Sequence, residues 1–127
     1  MDQQELKRRT REFAIRIMNL VDAPPLSVKG RTIANQLVRS GTAVGANYRA
    51  CCRSRSKAEF IARLGVVEEE ADESAFWLEL VIEGGLLSAE KVQALLGEAN
   101  ELVAIMAASR KSAALTTHRK SAIANRK

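Results

Sequence analysis

Aromatic side chains are scarce in this chain: one Trp, one Tyr and three Phe make up 4% of its 127 residues. That leaves little for a surface on which single-stranded bases could stack, the more so because Tyr48 falls on the apolar face of its segment. Proline occurs only at Pro24-Pro25, so no other position forbids a helix. The only cysteines, Cys51 and Cys52, are neighbours. Adjacent thiols pair only in a strained geometry, and two alone make no zinc site, which leaves them as small buried residues with a redox role as the alternative. No apolar run approaches the roughly 18 to 20 residues of a membrane span. The opening "MDQQELKRRTRE" has no apolar signal segment. The expectation is a soluble, cytoplasmic protein without a membrane partner.

What is present is helical patterning and charge. With 46% hydrophobic residues, the chain is long enough for one domain around one core. Its net charge of +5 hides a segregation. Residues 1–66 carry 13 Lys and Arg against 5 Asp and Glu, residues 67–109 carry 1 against 10, and residues 110–127 carry 6 against none. Such blocks can bind nucleic acid, and they can equally bind one another.

Apolar spacing predicts four helices. Leu6, Thr10, Phe13, Ile17, Leu20 and Val21 follow one helical face and stop before the prolines. A second series, Ile33, Leu37, Val44, Tyr48 and Cys51, begins near Ser27 to Arg31 and ends near Arg53 to Arg55. "SKAE" then offers a capping box, Ser56 with Glu59, for a third helix carrying Phe60, Leu64, Val67, Ala71, Ser74, Leu78 and Val81. Gly84-Gly85 closes it. Ser88 can cap a fourth helix with Val92, Leu95 or Leu96, Ala99, Leu102 or Val103, and Met106 inside. The expected fold class is all-α, an antiparallel up-down-up-down four-helix bundle over residues 1–112. Residues 113–127 read as a basic, disordered C-terminal tail.

Gly41 and Gly45, in "RSGTAVGANYRACCRSRS", lie inside the second series. A phosphate-cradling loop would need a preceding strand and a following Lys-Ser/Thr, whereas Ala46-Asn47 follows here. Apolar spacing also runs through the glycines without a break, which argues against a hinge. Projected on a helix they sit at the edge of the core face, so close helix packing is the reading that remains, against about 1 kcal/mol per glycine in helix propensity.

The strings "IANQLVRSGTAVGANYRA", "SKAEFIARLGVVEEEADESAFWLEL" and "LLGEANELVAIMAASRK" resemble the bacterial four-helix-bundle family of 23S rRNA intervening-sequence proteins, also called S23. The resemblance spans Leu6 to Lys111, and Gln36-Leu37-x-Arg39-Ser40, Ala46-Asn47, Ser56-x-x-x-Phe60 and Glu70-Ala71-x-Glu73-Ser74-x-Phe76-Trp77-Leu78 are its most specific elements. Tyr48-Arg49-Ala50 stands where many relatives have Ile-Ala-Glu, and Phe76 where Tyr is usual, so the end of the second helix is unusually basic. The resemblance implies a four-helix fold, a ring-like homopentamer and no established enzymatic activity. It also implies kinship with the accessory protein of diversity-generating retroelements, a basic pentamer that engages nucleic acid and a reverse transcriptase.

An enzyme is not expected. A di-iron bundle needs inward Glu-x-x-His pairs, but the only histidine is His118, near the C-terminus, and Glu68, Asp72 and Glu79 project away from the core series. A Ser, Cys or Thr nucleophile would find no histidine base in the bundle. No metal and no cofactor are expected.

Two functional classes remain. In the first, a nucleic-acid-binding accessory protein contacts RNA or DNA phosphates through Lys7, Arg8, Arg9, Arg11, Arg49, Arg53, Arg55, Lys57 and the basic tail. In the second, a structural or protein-binding oligomer uses its basic and acidic blocks for assembly alone. Phe76 and Leu80 lie with Glu69 and Glu73 opposite the third helix's core series, and a helix with two apolar stripes has two partners. Those four residues, with Gln36 and Asn47, are the expected contacts between copies. Glu70 and Glu73 with Arg39, Gln36 and Asn47 are the expected polar locks, within one subunit or between subunits.

Overall fold

The computed structural model describes residues 1–25 and 27–124, with side chains placed through residue 116. It contains four helices: α1 (Gln3–Leu20), α2 (Val28–Cys51), α3 (Lys57–Glu83) and α4 (Ala89–Ala124). Each packs on its neighbour in the chain, and α1 returns to touch α4, with the thinnest contact of the set. Short connections and this neighbour order make an up-down-up-down bundle. None of the described helices is long and apolar enough to cross a membrane.

The helix ends follow local chemistry. Asp2 caps α1, its carboxylate accepting the Glu5 N–H at 2.8 Å, and Pro24-Pro25 lie just past the end of that helix. Ser27 caps α2 through the Gly30 N–H at 3.0 Å. At α3 the Ser56 hydroxyl accepts the Glu59 N–H at 3.1 Å. The return arm differs from the expected box: Glu59 accepts from the Arg55 N–H at 3.2 Å, one residue before the cap. Gly85, at φ 70°, ends α3. The Leu86 N–H bonds back to the Val81 carbonyl and the Gly85 N–H to the Ile82 carbonyl, and the Leu86 side chain is buried at the turn.

The core takes the predicted faces: Leu6, Phe13 and Ile17 from α1; Leu37, Val44 and Tyr48 from α2; Leu64, Val67 and Leu78 from α3; Val92, Leu102 and Met106 from α4. Leu95 and Leu102 are buried, whereas Leu96 and Val103 pack only partly. One polar pair crosses this apolar interior. The buried hydroxyls of Ser40 and Ser74 lie 3.0 Å apart between α2 and α3. Cys51 is buried, its thiol donating to the Phe60 carbonyl at 3.5 Å, and burial pushes that thiol up to about 11. Such a thiol holds its proton at neutral pH and is a poor nucleophile.

Among the described side chains, the last buried one of α4 is Ala113, close to where the apolar periodicity ends. The backbone nevertheless continues as helix to Ala124, past residue 113, where the sequence reading began a disordered tail. No Gly or Pro follows Gly97, so nothing local stops the helix once the core has been left behind. Residues 125–127, and the side chains of residues 117–124 including His118, lie outside the described residues.

Candidate nucleic-acid interface

Three of the four seams between adjacent helices are bridged by an arginine and glutamates. Between α1 and α4, Arg9 donates to both oxygens of Glu98, at 2.7 and 2.6 Å, and pairs with Glu101 at 2.8 Å. Between α2 and α3, Arg39 pairs with Glu70 at 3.4 Å and with Glu73. Between α3 and α4, Arg110 pairs with Glu68 at 2.8 Å. The seam between α1 and α2 is different. Its outer side is a groove of about 390 Å³ bordered by Lys7 and Arg11 of α1, Arg49 of α2, and Arg53 just beyond the α2 C-cap. Among the described residues none of these four has a carboxylate within ion-pair distance.

Small residues make the groove. Ala14, Thr42, Gly45 and Ala46 form its floor. A Cβ built on Gly45 would lie 3.3 Å from the Thr10 carbonyl oxygen, and one on Gly41 would lie 2.8 Å from the Ile17 side chain. The helices therefore approach almost backbone to backbone, and the long cationic side chains stand above a shallow floor. Of the lining residues only Thr42 carries a hydroxyl, which donates to the Val38 carbonyl at 2.7 Å.

The expected phosphate-binding residues divide into three groups. Lys7, Arg11, Arg49 and Arg53 come together in the groove. Arg55 and Lys57 are exposed at the α2–α3 connection, and Arg8 is exposed but paired with Glu12 on its own helix at 2.9 Å. Arg9 corrects the expectation. Its side chain is only 17% exposed, and the hydrogen bonds it donates to Glu98 and then Glu101 hold its guanidinium firmly in the charged form. It clamps α1 to α4 and is not free for a phosphate. The signal was absent from the local sequence because both partners arrive from α4, about 90 residues later.

The residues expected between copies also divide. Glu73 is engaged within the chain: Arg39 and the Trp77 indole N–H, at 3.3 Å, both donate to it. The Arg39 hydrogen bond, aided by Trp77 and opposed by partial burial, holds the Glu73 carboxyl below its ordinary range. Gln36 accepts from Arg39 Nε at 3.5 Å, and Asn47 donates to the Ala43 carbonyl of its own helix at 2.9 Å. Phe76 is 50% exposed and stacks edge-on against Trp77, ring centres 5.0 Å apart, with Glu69 exposed and Leu80 half-buried on the same helix. Glu68, read as outward-facing, instead turns into the α3–α4 seam to meet Arg110. No cluster of three or more metal-ligating side chains occurs among the described residues.

The family described as 23S rRNA-intervening sequence protein matches residues 2–108, nearly the whole bundle. The chain belongs to that family. A protein with unknown function from the S23 ribosomal protein family of Bacteroides thetaiotaomicron VPI-5482, seen in a crystal structure, shares 31% sequence identity with it. The superposition covers 87% of this chain and 99% of that one, with a TM-score of 0.78. No curated protein matches the chain. Family membership therefore accounts for the bundle, and the charge on the α1–α2 seam has to be read from the chain itself.

Proposed function

We propose that this member of the 23S rRNA-intervening sequence protein family binds nucleic-acid backbones through the α1–α2 groove, without catalysing a reaction. One contrast carries the reading. Arginines on the other three seams are neutralised by glutamates, whereas Lys7, Arg11, Arg49 and Arg53 line one groove with no carboxylate beside them. Like charges gathered on one surface repel until an anion joins them, and a polyphosphate supplies several at once. The groove holds no nucleophile paired with a base, which favours binding over chemistry. It lies at the end of the bundle from which α4 projects. Leu6, Tyr48, Ala108 and Ser112 line a common cavity there, and α4 continues about 16 Å past Ala113. Exposed Lys111 lies just before that projection, and Arg119, Lys120, Arg126 and Lys127 follow it in the sequence, which supports a second basic contact.

The test is a salt titration of structured RNA and DNA against the wild type and a Lys7, Arg11, Arg49, Arg53 to Ala variant. Counterion release requires log affinity to fall with log salt at about −0.9 per neutralised duplex phosphate. The variant should flatten that slope alike for unrelated sequences. A wild type that binds neither ligand at low salt would remove this reading.

A second reading, assembly of copies of this chain, draws on the α3 surface. Phe76 is half-exposed beside Leu80 with Glu69, Asp72, Glu79 and Glu83 around it. An acidic, partly apolar face on α3 and a basic face on α1–α2 are complementary, and such unlike faces join head to tail into a closed ring. Five copies is the number that the family resemblance suggests.

A further inference from the structure

We infer that the groove takes one strand of a double helix in preference to a free single strand; this rests on the backbone-binding reading above. Sites for single strands combine positive charge with aromatic platforms that hold the bases. The groove has only the first of these. Its lining is four cations with Ala14, Thr42, Gly45 and Ala46. Tyr48, next to Arg49 in the chain, is 2% exposed and belongs to the core, and Phe13 is 1% exposed. The one exposed aromatic among the described residues, Phe76, packs on half-buried Trp77 on α3, which does not border the groove. Bases of a single strand would find no aromatic ring in the groove to stack upon, so phosphate neutralisation and guanidinium contacts would have to hold it.

The cations also spring from backbone positions set in a row. Gly45 faces Thr10 and Arg11 across the seam, so Arg11 stands level with Gly45, and Lys7, one turn earlier on α1, stands near Arg49 on the antiparallel α2. Arg53 follows one turn further. The row extends over about 12 Å, two helical turns. A double helix presents each strand's phosphates in an already ordered row, one per about 3.4 Å of axis, and with both strands carries one charge per about 1.7 Å. A single strand carries fewer charges per unit length and must be ordered on binding. For four contacts the salt slopes differ by about 0.8, from about −0.9 per contact for a duplex and about −0.7 for a single strand. Between 1 M and 50 mM salt that difference amounts to about tenfold in affinity.

Fluorescence anisotropy of the full chain decides this, using RNA and DNA duplexes of about 20 base pairs and unstructured oligo(U) and oligo(dT) of equal length. At 50 mM salt at least one duplex should bind about tenfold tighter than either single strand, with the steeper slope. Lys7→Ala with Arg49→Ala should flatten the duplex slope at unchanged helicity, and Arg16→Ala, outside the groove on α1, should leave it unchanged. Single strands bound as tightly as the duplexes would overturn the inference and leave the groove reading standing. Binding to none of the four ligands would overturn both, as would an equal loss from Arg16→Ala.

Discussion

Gly41 of α2 packs directly against Ile17 of α1, so closely that a Cβ built on the glycine would fall 2.8 Å from the isoleucine's γ carbons. Ile17 is fully buried and has no room to withdraw. One turn along, Gly45 faces the Thr10 carbonyl. These two contacts set the separation of α1 and α2, and therefore the depth of the groove that their cations share.

Gly41→Leu and Gly45→Leu should each lose about 1–3 kcal/mol in urea denaturation, as overpacked sites do. Gly45→Ala should be near neutral, because about 1 kcal/mol of helix propensity offsets a Cβ placed 3.3 Å from the Thr10 carbonyl oxygen. Unchanged midpoints for both leucine variants would mean that the helices do not approach so closely.

Arg9→Met leaves Glu98 half-enclosed and unpaired at the thinnest seam of the bundle. The expected loss is about 1–3 kcal/mol, read from the urea midpoint. The same variant should keep the salt slope for nucleic acid, in contrast to Arg11→Ala or Arg49→Ala. A flattened slope without loss of stability would return Arg9 to the phosphate contacts.

Acid should loosen the α2–α3 seam. Arg39 holds Glu73 below its ordinary value, so the stabilisation is complete above the unfolded carboxyl value of about 4.3 and declines as pH falls through the lower folded value. Glu73→Gln should lower stability modestly at neutral pH, since a partly exposed pair contributes little, and its curve should converge with the wild type's as pH falls below about 4.3. Melting temperatures across an acid series measure this; parallel curves for wild type and variant would place the acid sensitivity elsewhere.

If copies associate through α3, Phe76→Glu with Leu80→Lys should lower the mass found by light scattering while leaving helical content intact. A monomeric wild type at micromolar concentration would end the ring reading.

Deleting residues 114–127 removes the helix to Ala124 that follows Ala113, the last buried side chain among those described. Thermal stability should stay within about 0.5 kcal/mol, as for other surface changes. Helical signal and nucleic-acid affinity should both fall. A large loss of stability would show that this segment packs on the bundle.

Much of the fold could be read in one dimension because a helix repeats its environment every three to four residues. Leu6, Phe13 and Ile17, or Val92, Ala99 and Met106, declare an inward face by spacing alone. Ala75 did not: it is buried, yet an alanine carries too weak an apolar signal to mark a seam. The candidate site was legible as a set of basic residues but not as a place. Arg9 and Arg11 are two positions apart in one basic run, and only their separation by about 200° around α1 sends one to Glu98 and the other to the groove.

By itself, then, the sequence determined the helices, their buried faces and their ends apart from that of α4, because Asp2, Ser27, Ser56, Gly85 and the apolar spacing act over a few residues of chain. Which cations are paired inside the bundle and which are left without a carboxylate among the described residues was decided by the tertiary structure alone. Glu98 and Glu101 meet Arg9, Glu70 and Glu73 meet Arg39, and Glu68 meets Arg110 only when distant helices pack. Ion pairing depends on separation in space, and the packing of α1 on α2 brings no carboxylate to Lys7, Arg11, Arg49 or Arg53.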